Sequence, residues 1–238
     1  MNKLVATAVV AWGIVALVGA VGGAYSTTFP LTENPISEGG NWINGKTVGL
    51  DWSDFRTTRG LAFGTQTGTN GYDDSIAILT GTWPADQTVT ATVHTVNQQP
   101  GIVEEVELLL RFSISAHRAA GYEVLFACKG AGAQYVQIVR WNGPLGDFTY
   151  LDARGGPGLV NGDRIKATIV GNTIKGYIND VEVVSATDTT YANGSPGMGH
   201  YLLQGGTGAL AGDYGLTGYA ASGGLAPPRP PANLRIIR

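Results

Sequence analysis

The sequence predicts an all-β protein of antiparallel strands, built as a sandwich or a barrel, and three observations support this prediction. In the stretch 163–187, three short alternating strands are joined by the two-residue turns Gly171-Asn172 and Asn179-Asp180. Glycine, asparagine and aspartate tolerate the positive φ that tight hairpin turns require. The composition agrees, with 36 glycines and only 14% charged residues, as in sandwiches and barrels. No stretch shows the period of an amphipathic helix that would compete with this prediction.

The strands are expected in the following order along the chain. The opening segment 25–44 is irregular and polar, and we expect it to cross the sandwich. Short apolar runs bounded by turn residues predict strands near 60–65, 75–79, 88–96, 103–115, 121–128, 134–141 and 148–151. The meander 163–187 and a last strand near 214–219 follow, which gives about a dozen strands in all. A single large domain is the simplest organisation for 238 residues.

The two ends of the chain differ from its middle. In 1–24, Lys3 precedes an uncharged apolar run that ends in small residues, which predicts a secretory signal peptide. Cleavage after Ala24 is the first choice and cleavage after Ala20 the second. The alternative is a retained membrane anchor, because ~20 apolar residues can span a bilayer. The domain then occupies 25–222, and 223–238 is a proline-rich tail.

Charge and cysteine content exclude a nucleic-acid-binding protein and a protein that is stabilised by internal disulfides. Loss of Lys3 from the 15 basic residues leaves 14 against 18 acidic ones. The mature chain is therefore acidic and has no basic run, so no nucleic-acid partner is expected. Cys128 is the only cysteine, and stability must come from sheet packing rather than from an intramolecular disulfide.

Three segments carry a resemblance to a known fold family. They are 34–42, with Asn34-Pro35-Ile36 and Gly39-Gly40-Asn41-Trp42; 121–151, with GYEVLFACKG and YVQIVRWNGPLGDFTYL; and 162–188, followed by a small loop at Ser195-Pro196-Gly197. Together they resemble secreted bacterial concanavalin A-like lectin/glucanase domains, the laminin-G-like jelly roll, over 28–222. The resemblance implies a convex and a concave sheet, with ligands on the concave face or at edge loops. Members of this family include lectins, glycosidases, lyases and adhesion domains, so the resemblance does not choose an activity.

Carboxylates are the first candidates for chemistry. Glycosidases of this superfamily carry a Glu-x-Asp-x-(x)-Glu strand, whereas here Glu105-Val106-Glu107 is followed on the same face by Leu109 and Arg111. If the chain is an enzyme, Glu107 and Glu123 on neighbouring strands are the predicted catalytic pair. The alternative is a solvated, charge-balanced sheet face. The Tyr, His and Arg pattern of lyases is not visible, and the three histidines are interpreted as surface or structural residues.

Sugar binding requires less: aromatic faces beside planar hydrogen-bonding side chains. On the strand near 134–141, Tyr135 and Trp141 share one face and Arg140 lies on the other. If the first set is buried, Arg140 joins Glu107, Arg111, Glu123 and Tyr177 on the concave face. The predicted ligand-binding residues are Arg111, Glu123, Arg140, Trp141, Asn142 and Tyr177. The alternative is that Trp141 and Tyr177 are core or sheet-covering aromatics.

Calcium is the one metal that the resemblance implies, held by edge-loop oxygens. The loop acids with suitable chemistry are Asp73, Asp74 and Asp213. The alternative for each is a solvated turn, and no other cofactor is expected.

These observations together predict a secreted, non-catalytic jelly-roll protein that binds a polysaccharide, another glycan or a different extracellular polymer. One alternative is a polysaccharide lyase or glycosidase on the same fold. Another is a structural or adhesive cell-surface protein with a surface or matrix partner. The oligomeric state is left open by the sequence.

Overall fold

The computed structural model describes residues 23–66, 74–99, 101–130, 134–203 and 211–223. Within these residues there is no α-helix, and the two helical turns, Lys46–Val48 and Ala211–Asp213, are short 3₁₀ turns. The strands are β1 Ala24–Thr27, β2 Trp42–Asn44, β3 Phe55–Thr58, β4 Leu61–Gly64, β5 Ser75–Leu79, β6 Gln87–Thr95, β7 Val103–Ser115, β8 Arg118–Ala127, β9 Tyr135–Gly143, β10 Phe148–Gly155, β11 Arg164–Val170, β12 Thr173–Ile178, β13 Val181–Thr187, β14 Ser195–Leu203 and β15 Tyr214–Gly223.

These strands form two antiparallel sheets. The eight-stranded sheet has the order β13-β12-β11-β6-β15-β4-β3, and β1 also pairs with β15. The seven-stranded sheet has the order β10-β9-β8-β7-β14-β5-β2. The inward faces of both sheets pack against each other in one apolar core, and the burial of this surface is the main force that holds the sandwich together. The predicted all-β, two-sheet antiparallel sandwich is confirmed.

The meander predicted at 163–187 is present as β11, β12 and β13. Gly171 has φ 57°, and both residues of the second turn, Asn179 and Asp180, have φ of 49° and 65°. These are the positive values that primed hairpin turns need. Ile165 pairs with Ile178 across β11 and β12, and both side chains enter the core. Local turn chemistry and apolar alternation were therefore sufficient to predict this part of the fold.

Two expectations about local structure were wrong. Ser195-Pro196-Gly197, interpreted as a loop, begins β14, which lies between β7 and β5. Segment 25–44, interpreted as irregular, contains the short strands β1 and β2. Ser195, Pro196 and Gly197 have low intrinsic strand preference, and tertiary pairing overrides it. Gly197 in β14 fits because a Cβ there would lie 2.5 Å from the carbonyl oxygen of Ala77 on β5.

The outer ends of the chain fall outside the described residues, namely 1–22 and 224–238. A search of the described residues for a helix able to cross a membrane finds none. β1 starts at Ala24, which pairs with Ser222 near the end of β15. The two boundaries predicted for the domain thus lie beside each other at one place in the eight-stranded sheet.

Candidate functional site

The candidate site lies on the outer face of the seven-stranded sheet, which is turned away from the core between the sheets. Along β9, Val136 and Ile138 point into that core. Val139 and Trp141 belong instead to a second apolar cluster on the outer face. Since successive side chains of a strand point to opposite faces, the strand presents Tyr135 and its period-two partners on the outer side.

An open pocket of about 310 Å³, here called the sheet-face pocket, lies on this outer face. Its aromatic lining consists of Tyr135, Trp141, Phe148, Tyr150 and Tyr201. Its carboxyl groups are those of Asp74, Glu105 and Glu123. Among the described residues, no lysine, arginine or histidine lines it. The pocket therefore combines apolar ring surfaces with acidic hydrogen-bonding groups.

The strand register explains why the carboxyl groups meet. In the β7–β8 pairing, Glu107 lies opposite Leu125, and Glu123 lies opposite Leu109. The two glutamates are therefore diagonal neighbours on one face. Asp74 directly precedes β5, on the far side of β14 from β7. Three elements thus direct a carboxyl group toward one point of the sheet.

These three residues form a cluster, here called the carboxyl cluster: Asp74, Glu107 and Glu123. One carboxyl oxygen of each lies within 4.8 Å of the others. The residues are 4%, 0% and 2% exposed. No salt bridge of the described residues involves Glu107 or Glu123, so a negative charge on this buried pair is stabilised by a proton shared between them or by a bound ion.

Gly199 on β14 makes the space for one member of the cluster. A Cβ at this position would lie 1.9 Å from Oε2 of Glu107, closer than any real side-chain atom approaches. Gly199 lies directly opposite Glu107 in the β14–β7 pairing. The absence of a side chain on β14 therefore lets the Glu107 carboxyl group lie flat over the sheet.

The carboxyl groups differ in their hydrogen bonds. Trp141 Nε1 donates to Glu123 Oε2 over 2.8 Å, and the Tyr135 hydroxyl donates to Glu105. Neither carboxyl oxygen of Glu107 accepts a hydrogen bond from an N–H or hydroxyl donor of the described residues. When protonated, Glu107 donates instead to the Glu123 carboxylate. Ionised Glu107 is thus the least stabilised carboxylate of the face.

Burial changes the protonation of these groups. Desolvation raises the pKa of Glu105 to about 7, against the lowering effect of the Tyr135 hydrogen bond. Desolvation likewise raises the pKa of Glu123 to about 8. The pKa of Glu107 is raised well above its usual range, first by desolvation and then by the charges of Glu123, Asp74 and Glu105. Without a bound cation, the cluster therefore retains a proton at neutral pH.

One wall of the pocket is a stack of aromatic rings. Trp141 contacts Trp52 edge-on at a centroid distance of 4.2 Å and Phe148 at 5.0 Å. Phe148 in turn packs against Tyr150 at 5.2 Å. Trp141 is 2% exposed and Tyr150 is 56% exposed. The inner rings therefore support the outermost ring, more than half of which is exposed to solvent.

The predicted position of Arg140 was wrong. Its guanidinium lies on the opposite face from Glu123, where Nη1 contacts Asp188 Oδ2 at 2.6 Å and Nε donates to Asn142 Oδ1 at 3.0 Å. In β9, the set with Tyr135 faces outward onto the pocket rather than into the core, so the assumed sides are exchanged. Arg140 and Asn142 belong to a polar network at the sandwich margin.

Arg111 and Tyr177 also lie away from the pocket. Arg111 is 3% exposed, and its guanidinium donates to three backbone carbonyls in loops of the sandwich. Tyr177 is on β12 of the eight-stranded sheet, where Lys166 Nζ lies 4.3 Å from its ring centroid. Of the predicted ligand-binding residues, the structure brings only Glu123 and Trp141 to the sheet-face pocket.

The predicted metal ligands separate in a similar way. Asp74 joins the carboxyl cluster with Glu107 and Glu123. Asp213 lies in the 3₁₀ turn before β15 and accepts a hydrogen bond from Asn97 Nδ2 at 3.4 Å. Asp73 lies outside the described residues. The described residues around Asp74 therefore form a carboxyl cluster on the sheet face, and not the predicted edge-loop site of three aspartates.

The sequence interpretation missed several residues that line the pocket: Glu105, Tyr135, Gln137, Phe148, Tyr150 and Tyr201. The alternation in β9 was recognised but assigned to the wrong side. Because both faces of β7 and β8 are buried, their sequences do not alternate between apolar and polar residues. Without that contrast, the sequence carries no signal for which side faces the core.

Comparison with known proteins finds solved structures that have a similar fold. No protein-family model matches the sequence, and no curated protein matches it. Among solved structures, the carbohydrate-binding module CBM66 from Bacillus subtilis is 18% identical, with a TM-score of 0.51 over 69% of this chain and 92% of its own. The metal-free carbohydrate recognition domain of Emp46p is 10% identical, with a TM-score of 0.55 over 84% and 97%.

An enzyme is also among the similar structures. The endo-β-galactosidase from Clostridium perfringens that releases GlcNAcα1-4Gal is 9% identical, with a TM-score of 0.52 over 83% of this chain and 61% of its own. At these identities the similarity concerns the fold alone. The chain has the concanavalin A-like jelly-roll fold that its sequence resembles.

Proposed function

We propose that this chain is a secreted, non-catalytic protein that binds a polysaccharide or another extracellular glycan in the sheet-face pocket. The observation that carries the proposal is the pairing of an exposed, supported aromatic ring, Tyr150, with the carboxyl groups of Glu105 and Glu123. Aromatic rings bind the apolar C–H surfaces of sugars, and carboxyl groups bind their hydroxyls.

The similar structures support this proposal at the level of the fold. Two of those described above are named as a carbohydrate-binding module and a carbohydrate recognition domain. The acidic chain and the lack of a basic lining among the described pocket residues favour neutral glycans over uronate polymers. The same lack does not favour a lyase, which must neutralise a uronate carboxylate.

Tyr150→Ala tests the proposed site. Removal of the exposed ring should weaken glycan binding about fivefold, because one aromatic contact contributes about 1 kcal/mol. Binding of the purified protein to a polysaccharide array, followed by titration calorimetry on the best ligand, measures this change. Tyr177→Ala is the matched control, since it removes a tyrosine from the outer face of the other sheet.

Two results would contradict the assignment. One is the absence of binding to every glycan on the array. The other is equal weakening by Tyr150→Ala and Tyr177→Ala, which would place the ligand elsewhere.

A glycosidase is the second candidate function. The observation that favours it is the approach of Glu107 and Glu123 within 4.8 Å, with Glu123 on the pocket surface. Two neighbouring carboxyl groups are the machinery of glycoside hydrolysis. A reducing-end assay on the polysaccharides that bind should detect no turnover if the protein only binds. Activity that disappears in Glu123→Gln would replace binding by hydrolysis as the function.

Secretion rests on the N-terminal sequence. Cleavage after Ala24 would retain Tyr25–Thr27 of β1, whereas cleavage after Ala20 would retain the whole strand and its pairing with β15. Mass spectrometry of the exported protein distinguishes the two sites. An intact Met1 in a membrane fraction would support the anchor instead.

A further inference from the structure

We propose that the sheet-face pocket binds the ammonium group of an amino sugar, so that the preferred glycan carries free, unacetylated amines. This inference rests on the proposed function, because it names the class of glycan that the same pocket takes. Its central residue is Glu105, which lines the pocket together with Tyr135, Tyr150 and Tyr201.

The strand register brings tyrosine side chains to Glu105. Tyr201 on β14 lies directly opposite Glu105 on β7, and the side chains of such a pair share one face of the sheet. The Tyr135 hydroxyl donates a hydrogen bond to the Glu105 carboxyl group. Burial and the charge of Glu105 raise the pKa of Tyr135 above its usual range, and the nearby Tyr201 and Tyr150 raise it further. The carboxyl group is thus held in place beside aromatic rings.

The charge of the pocket lining favours a positively charged ligand. Glu105 and Glu123 line the pocket, whereas no lysine, arginine or histidine of the described residues does. No salt bridge of the described residues involves either glutamate. Burial raises the pKa of Glu105 to about 7 and that of Glu123 to about 8, and a neighbouring ammonium group would favour the ionised forms again. Because charge-assisted hydrogen bonds are the stronger ones, the pocket gains more from an amine than from a hydroxyl group.

The aromatic lining provides an independent reason to expect a ligand of this kind. Tyr150 is 56% exposed, and Phe148 supports its ring at a centroid distance of 5.2 Å. A ring face attracts the C–H surface of a sugar, and it also attracts a cation within about 6 Å of its centroid. The pocket of about 310 Å³ opens to solvent, so one sugar unit of a longer chain can enter while its neighbours stay outside. An amino sugar uses both the rings and the carboxyl groups, whereas a neutral sugar lacks the charge.

Three oligosaccharides with the same linkage test the ligand class by titration calorimetry on the full chain at neutral pH. They are a short β-1,4-linked glucosamine oligomer, the same oligomer with every amine acetylated, and a cello-oligomer, which has a hydroxyl group in place of each amine. We expect the glucosamine oligomer to bind at least about tenfold more tightly than the two neutral ones. Added salt should reduce this ratio, because it screens the attraction between charges.

Glu105→Gln removes the charge but keeps an oxygen that can accept the Tyr135 hydrogen bond. It should weaken binding of the glucosamine oligomer at least about fivefold and leave binding of the cello-oligomer unchanged. Glu104→Gln is the matched control, because it removes a buried carboxyl group from the opposite face of β7, outside the pocket lining. It should change neither affinity. Glu123→Gln should show the same selective loss as Glu105→Gln, and it keeps the test valid if Glu105→Gln does not fold.

Four results separate this inference from the proposed function. Equal affinity for the three oligomers, weakened in each case by Tyr150→Ala, would overturn the ligand class and leave glycan binding in place. Equal loss in Glu105→Gln and Glu104→Gln would show attraction to the acidic chain as a whole rather than to the pocket. Choline and a short lysine oligomer carry an ammonium group without a sugar, and binding of either as tight as that of the glucosamine oligomer would refute an amino sugar. The absence of binding to every glycan would contradict both proposals.

Discussion

Gly199 and Glu107 face each other across β14 and β7, and their relation could not be inferred from the sequence. Glu107 was identified as a candidate from its spacing in β7, but its burial depends on a residue 92 positions later in the chain. The pairing partner of a strand residue is fixed by register rather than by local sequence. The candidate residue was thus predictable, whereas its environment was not.

His200 is a second residue whose role the tertiary structure decides. It is 0% exposed, and its ring stacks on Tyr214 at 3.8 Å. Nε2 donates to the Tyr214 carbonyl oxygen over 3.2 Å, and Nδ1 accepts from Gln66 Nε2 over 3.0 Å. The structural interpretation of this histidine is confirmed. Burial lowers the pKa of His200 to about 3, against the raising effect of the hydrogen bond to the Tyr214 carbonyl oxygen.

This lowered pKa predicts how stability depends on pH. Below pH 6.5 the unfolded chain binds a proton on His200 that the folded chain does not bind, so the native state loses stability as the pH falls. The unfolding free energy of the original chain, minus that of His200→Gln, should decrease by about 2 kcal/mol between pH 7 and pH 5. Urea denaturation at both pH values measures this difference, and a difference that does not change would contradict the prediction.

At the scale of the element, β9 and the meander show what strand sequences reveal. The meander 163–187 combines alternation with two marked turns, so its strands and their pairing were predictable. β9 also alternates, but its outer face carries Val139 and Trp141 in a second apolar cluster. Since both faces of β9 are apolar, the side facing the core was assigned wrongly.

Gly171→Ala tests the turn chemistry of the meander. Gly171 has φ 57°, and a Cβ there meets nothing within 4 Å, so the cost comes from the backbone conformation alone. The substitution should lower the unfolding free energy by about 1–2 kcal/mol. Gly155→Ala in β10 is the control, because its Cβ also meets nothing and its φ is not positive. Equal effects of the two substitutions on urea denaturation would be evidence against a strained turn.

At the scale of the whole molecule, Arg111 connects the two sheets. It lies on β7 of the seven-stranded sheet, yet its guanidinium donates to the carbonyl oxygens of Ala85, Gly171 and Tyr191 at 2.7–2.9 Å. Gly171 belongs to the meander of the eight-stranded sheet. The residue predicted to bind a ligand is therefore saturated by contacts within the protein, and these contacts stabilise one end of the sandwich.

Arg111→Met should destabilise the protein by about 3–5 kcal/mol, because three carbonyl oxygens lose the charged donor that the buried Arg111 side chain supplies. Arg111→Lys should recover little, since one ammonium cannot reproduce the planar guanidinium. Thermal or urea unfolding measures both. Arg154→Met removes an exposed arginine paired with Asp152 and should cost less than about 1 kcal/mol. A loss below that value for Arg111→Met would show that the connection is not needed.

The sequence by itself determined the all-β class and the meander, because turn residues and alternation act over short distances. Its composition also determined the acidic net charge, but it did not decide between binding and catalysis. Only the tertiary structure decided that Asp74, Glu107 and Glu123 meet, that Tyr150 lies at a pocket and Tyr177 does not, and that Arg111 and Arg140 are structural. These features depend on register and on which sheet face is turned inward. In strands buried on both faces, neither is encoded by local hydrophobic contrast.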